Sequence, residues 1–216
     1  METVKTYKIK DPGSAITHLI GMLMAAAAAA PLIIKAKEGF QGKHVAAVIV
    51  FITSMILLYG ASTSYHTFNI SEKGNMILKK LDHAMIYVLI AGTYTPILLK
   101  YMSGMEGWIF TIAMWACALV GIIIKLCWFS APRWLQTVLY IAMGWAILFD
   151  ISIFQSMSGV AVLLLAAGGI SYTVGGVIYM LKKPNISAKF GFHELFHIFV
   201  LLGSLFHFLM IFFYVA

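Results

Sequence analysis

Seven stretches of about twenty mostly apolar residues follow one another along the chain, at 14–34, 44–66, 81–99, 108–129, 134–154, 159–181 and 192–215. Roughly twenty such residues are what an α-helix needs to cross the hydrocarbon of a bilayer. In lipid every backbone N–H and C=O must find its partner within the protein, so each stretch is expected to be one helix. The fold expected is all-α, a seven-transmembrane-helix bundle. The joining segments are short, which leaves residues 1–216 as a single integral membrane domain. The first stretch follows "KIK" and contains "AAAAAAP", features of a cleaved signal peptide, but it is long for that role and further spans follow. It is read as retained.

Composition agrees, with 62% hydrophobic and 11% charged residues. The net charge of +7 does not point to nucleic acid, because the lysines fall in short clusters between apolar runs rather than along one polar face. Anionic lipid headgroups are the expected partner of these clusters. Cys117 and Cys127 share one apolar run and lie about 15 Å apart along a helix, beyond disulfide reach. Nothing in the sequence specifies an oligomeric state.

Orientation follows from the basic residues of alternate loops. Lys5, Lys8, Lys10, Lys73, Lys79, Lys80, Lys125, Arg133, Lys182, Lys183 and Lys189 fall on one side, and Lys35, Lys37, Lys43 and Lys100 on the other. The positive-inside rule then puts the amino terminus in the cytoplasm and the carboxy terminus outside.

With this orientation, five of the seven histidines collect at the cytoplasmic ends of the spans. These are His18, His66, His83 beside Asp82, and the pair His193 and His197. Ionisable groups at membrane depth are expensive, and mark functional candidates. The pair lies in "HELFH", whose i, i+4 spacing puts both imidazoles on one helix face. A third ligand must come from another helix, and His66 ends its span at the matching level. Three imidazoles leave the fourth position of a tetrahedral zinc open for water, as in catalytic sites; iron or copper would also accept these donors. His207, ten residues or about 15 Å further along, cannot reach that ion.

The segments "ASTSYHTF" (61–68), "KKLDHAMIY" (79–87) and "FHELFHIFV" (192–200), with "ITHLIG" near the start, resemble the signature segments of the hemolysin III family. That family is the bacterial branch of the progestin and adipoQ receptor proteins, which are related to adiponectin receptors and alkaline ceramidases. The resemblance implies a seven-helix protein of a bacterial cell membrane with an intramembrane zinc near the cytoplasmic side. Residue by residue, it implies that His66, His193 and His197 bind zinc. It also implies that Asp82 contacts the water on the zinc, and that Ser62 supports the site or donates to a substrate oxygen. Ser62 lies one turn before His66, and Asp82 enters its span at the same depth.

These groups suit zinc-dependent hydrolysis of a membrane lipid amide or ester, with Asp82 orienting or deprotonating the water. Three other readings stay open. One is a receptor or regulator of membrane state with structural zinc and a lipid ligand. Another is a pore-forming or lytic protein, which the family name suggests, although few ionisable groups lie at mid-depth to line a pore. "HELFH" also matches the HExxH pattern of metalloproteases, where Glu194 would be the general base. His18 and His83 are expected to make local hydrogen bonds. The glycines of "GGISYTVGG" (168–176) are expected to permit close helix packing, and Pro96 to kink the third span.

Overall fold

The computed structural model describes residues 8–39, 42–128, 131–187 and 190–216. Lys5 and Lys189 of the basic side, and Phe129 at the end of the fourth apolar stretch, lie outside them. The described residues form helices and connecting turns, with no strand among them. Among the described residues, six helices are long and apolar enough to cross a membrane: α1 (Pro12–Gly39), α2 (Lys43–Thr67), α3 (Glu72–Tyr101), α4 (Gly104–Cys127), α6 (Gly159–Leu181) and α7 (Phe192–Tyr214).

The fifth stretch departs from the expected single helix. Its α-helix, α5 (Arg133–Gly144), has only 12 residues, and two 3₁₀ segments follow at Ala146–Phe149 and Ile151–Ser156. Twelve residues of α-helix rise about 18 Å, short of the hydrocarbon thickness. The break is pinned from α3. The Tyr94 hydroxyl donates to the Gly144 carbonyl at 2.9 Å and accepts the Ile147 N–H at 2.9 Å, so both backbone groups freed by the break are satisfied inside the protein. Arg133 at the start of the segment reaches the Tyr179 carbonyl near the end of α6, and Ser156 at its finish reaches the Tyr101 carbonyl at the end of α3.

Helix α3 lies at the centre, with Gly92 through Leu99 all buried. It packs between α2, α4 and α5, while α1 closes against α2 and α7, and α6 against α7. The chain continues as helix through Pro96. The glycines of α6 give close packing as expected: a Cβ on Gly175 would lie 2.9 Å from Phe199 of α7, and one on Gly176 would lie 3.2 Å from Thr137 of α5. The outer faces carry exposed Ile16, Ile20, Ile109, Ile112, Leu163 and Ile170. Apolar surface of this extent is the covering that lipid, and not water, accepts.

Two ends of the bundle can be told apart by contacts. Lys35 near the end of α1 and Tyr101 of α3 both reach carbonyls at the end of α7, so these three termini share one end. The start of α1, the end of α2 and the start of α7 meet at the other, where Ser14 bonds Glu194 and Asp11 bonds His66. That second end holds the histidines.

Candidate metal centre

His66 occupies the last turn of α2, and His193 and His197 the first two turns of α7. Their ring nitrogens converge: one from each of the three lies within 4.8 Å of the others. Nε2 of His66 is 3.2 Å from Nε2 of His193. Two imidazoles bound at 2.0–2.1 Å to a tetrahedral ion would place these atoms about 3.3–3.4 Å apart, so the spacing fits a shared metal.

The outer nitrogens are already committed. His66 Nδ1–H donates to the Asp11 carboxylate at 3.0 Å, and His197 Nδ1–H donates to the Ser14 carbonyl at 3.2 Å, with Thr17 Oγ1 at 3.3 Å. Both rings therefore carry the proton on Nδ1 and present the Nε2 lone pair to the cluster. The donor set fits a metal that accepts neutral imidazole.

Asp82 enters α3 buried, and lines the same cavity as His193 and His197. Ser62, fully buried one turn before His66, has its hydroxyl beside the Asp82 carboxyl, with no partner at ordinary hydrogen-bond geometry among the described residues. A buried hydroxyl at this position can serve the neighbouring carboxylate or a ligand oxygen. The structure thus brings His66, His193 and His197 into one cluster, with Asp82 in the cavity wall and Ser62 behind it.

Glu194 is turned elsewhere. Its Oε2 accepts the Gly191 N–H at 2.9 Å, which caps α7, and its Oε1 accepts the Ser14 hydroxyl at 3.1 Å, which ties α7 to α1. The approach is close enough that a Cβ on Gly13 would lie 2.9 Å from Glu194 Cγ.

His18 differs from its expected local hydrogen bonding. Its ring stacks on His197 with centroids 3.6 Å apart, and neither nitrogen has a partner among the described residues. His207 lies away from the cluster, donating from Nε2 to the Leu165 carbonyl at 3.2 Å. No motif in the sequence points to Asp11, Ser14 or Thr17 as partners of these histidines. The available signal for Asp11 was the Asp-Pro pair opening the first helix, since Pro suits the first helical position and Asp the cap before it. Outside the spans, partial burial lowers the Lys10 ammonium from its ordinary value, and the neighbouring Asp11 carboxylate opposes this.

From the histidines a cavity of about 130 Å³ runs inward past Leu89 and Ile90 to Tyr94, Trp145 and His207. A second chamber of about 140 Å³ shares Thr93, Tyr94, Trp145, Gly169 and His207 with it. Together they form a largely apolar corridor with the imidazole cluster at one end. Such a shape suits an aliphatic chain whose polar group rests at the cluster.

A family model described as "Haemolysin-III related" matches residues 6–208. The "Hemolysin-3 homolog" of Bacillus subtilis (strain 168) is 38% identical over 210 residues, which cover 96% of this chain and 96% of that protein. "Hemolysin-3" of Bacillus cereus is 38% identical over 209 residues, covering 95% of this chain and 92% of the relative.

Proposed function

The chain belongs to the haemolysin-III-related family of multi-pass membrane proteins, and from that premise we propose that it is a zinc-dependent hydrolase of a lipid amide or ester. The observation that carries the reading is the convergence of His66, His193 and His197 at one end of an apolar corridor. When bound, zinc would supply Lewis acidity and bring the pKa of a coordinated water down to about 7. The three histidines would hold the ion through neutral nitrogens, and Asp82 lies in the wall of the same cavity.

Asp82 would take a proton from the attacking water and return it to the leaving nitrogen or oxygen, so that water adds across the scissile bond and acid and amine, or acid and alcohol, are released. Ser62 would donate its O–H to the substrate carbonyl oxygen as negative charge develops there. The corridor would hold the acyl chain and keep bulk water from the site. The commitment of Glu194 to capping α7 supports placing the acid–base role on Asp82 and favours lipid over peptide hydrolysis.

The proposal includes seven crossings, with the amino terminus and the histidine end in the cytoplasm and the carboxy terminus outside. The contacts of Arg133 and Ser156 with opposite ends of the bundle support a crossing between them. Basic residues near the histidine end support the orientation. The relatives are named for haemolysis, but the apolar lining of the corridor weighs against an aqueous pore in this chain. A receptor with a structural ion would use the same corridor for a bound lipid without turnover. Purified protein incubated with a bilayer lipid extract decides between them: mass spectrometry should show a zinc-dependent rise in free acid. Metal-loaded, folded protein that releases nothing from a broad lipid set would favour the receptor.

A further inference from the structure

Two of the three cluster histidines are held from outside their own helices by one short segment, residues 10–14. Asp11 Oδ2 accepts from His66 Nδ1–H at 3.0 Å across 55 positions, and the Ser14 carbonyl accepts from His197 Nδ1–H at 3.2 Å across 183. We infer that Asp11 is a positioning residue of the metal centre, fixing the tautomer and orientation of His66, and that metal binding and docking of this segment reinforce one another. The inference rests on the metal reading above and extends it to what sets the affinity.

An imidazole at a helix end can rotate to exchange Nδ1 and Nε2, or hold its proton on either. A carboxylate on Nδ1 removes this freedom and makes Nε2 more basic, and loss of such a partner commonly lowers metal affinity about 10–100-fold. Asp11 is well placed to act this way. Its N–H donates to the His66 carbonyl at 2.9 Å, so it grips the backbone and the ring of one residue together. On its other side, its carbonyl accepts the Ala15 N–H at 2.9 Å, and Pro12 begins α1 directly after it. Lys10 adds a second anchor, with Nζ donating to the Tyr65 carbonyl at 3.2 Å and lying 3.4 Å from the Tyr65 ring centroid.

The Asp11 carboxylate is itself 43% exposed. Packing therefore does not require it, and it can be altered without opening the core. Because an ion needs His66 and His197 in these poses, and the segment provides them, each must favour the other by the same free energy.

The test uses the full chain in lipid nanodiscs. Zinc affinity is measured by competition with a chromophoric chelator, the absorption bands of the cobalt-loaded protein report ligand geometry, and hydrogen exchange follows residues 10–14. Asp11→Ala should weaken zinc about 10–100-fold and shift the cobalt bands. Asp11→Asn, whose amide oxygen can accept the same N–H, should recover part of both, and zinc should slow exchange across 10–14 in the unaltered chain. Affinity unchanged in Asp11→Ala would overturn the inference while leaving the metal reading intact. So would an affinity loss that Asp11→Asn fails to restore and that follows a fall in melting temperature. Should Asp11→Ala not fold, absence of zinc-dependent protection at 10–14 in the unaltered chain overturns it. If the unaltered chain binds no metal, both readings fall together.

Discussion

Nε2 of His66 lies 3.2 Å from Nε2 of His193, although 127 positions separate the two residues in the chain. One sits at the end of α2 and the other at the start of α7, and the segment that opens α1 joins the two helices, Asp11 bonding to the first and Ser14 to the second. A separation so close to the edge of a tetrahedral zinc site makes metal binding the first property to measure.

Protein purified without chelator should carry about one zinc per chain. His66→Ala, His193→Ala and His197→Ala should each lower the occupancy, because three ligands become two. His207→Ala should retain it, since that side chain lies further along α7 and donates to the Leu165 carbonyl of α6. Elemental analysis after gel filtration is the measurement, and full retention in the His193→Ala, His197→Ala double variant would rule out this ligand set.

Asp82 and Glu194 separate lipid hydrolysis from proteolysis. Asp82→Asn keeps the side-chain shape but cannot take up a proton, so it should hold zinc and lose at least 100-fold in turnover, about the contribution of a general base. Glu194→Gln should retain most of the turnover. The opposite ranking, with peptide product, would assign the chemistry to Glu194.

Topology can be read with fusions. A reporter active only outside the cytoplasm should be active after Ala216 and silent when inserted between Lys182 and Ile186, by the weight of basic residues at the histidine end. The reverse pattern would place the histidines on the outer side.

Tyr94 is expected to stabilise the break after α5. Tyr94→Phe leaves the Gly144 carbonyl and the buried Ile147 N–H without their partner, at a cost of about 1–3 kcal/mol. The variant should melt at a lower temperature in nanodiscs with its zinc affinity unchanged. An unaltered melting temperature would mean that other groups satisfy the break.

Hydropathy summed over about twenty residues was enough to find the six long helices, because the cost of polar backbone in lipid acts on whole segments. The i, i+4 spacing of His193 and His197 was likewise legible, since helix geometry turns that spacing into one face. The fifth apolar stretch shows the limit. Its composition matches its neighbours, yet a single hydroxyl from Tyr94, some fifty positions earlier, accommodates the turn from α-helix into 3₁₀ segments. The partners of the histidines were hidden for the same reason: nothing near His66 in the chain names Asp11, and nothing near His197 names the Ser14 carbonyl. Burial patterns are properties of a segment, and sequence carries them. Which nitrogen of a ring is held, and by what, depends on one atom meeting another across helices, and only the packed bundle decides that.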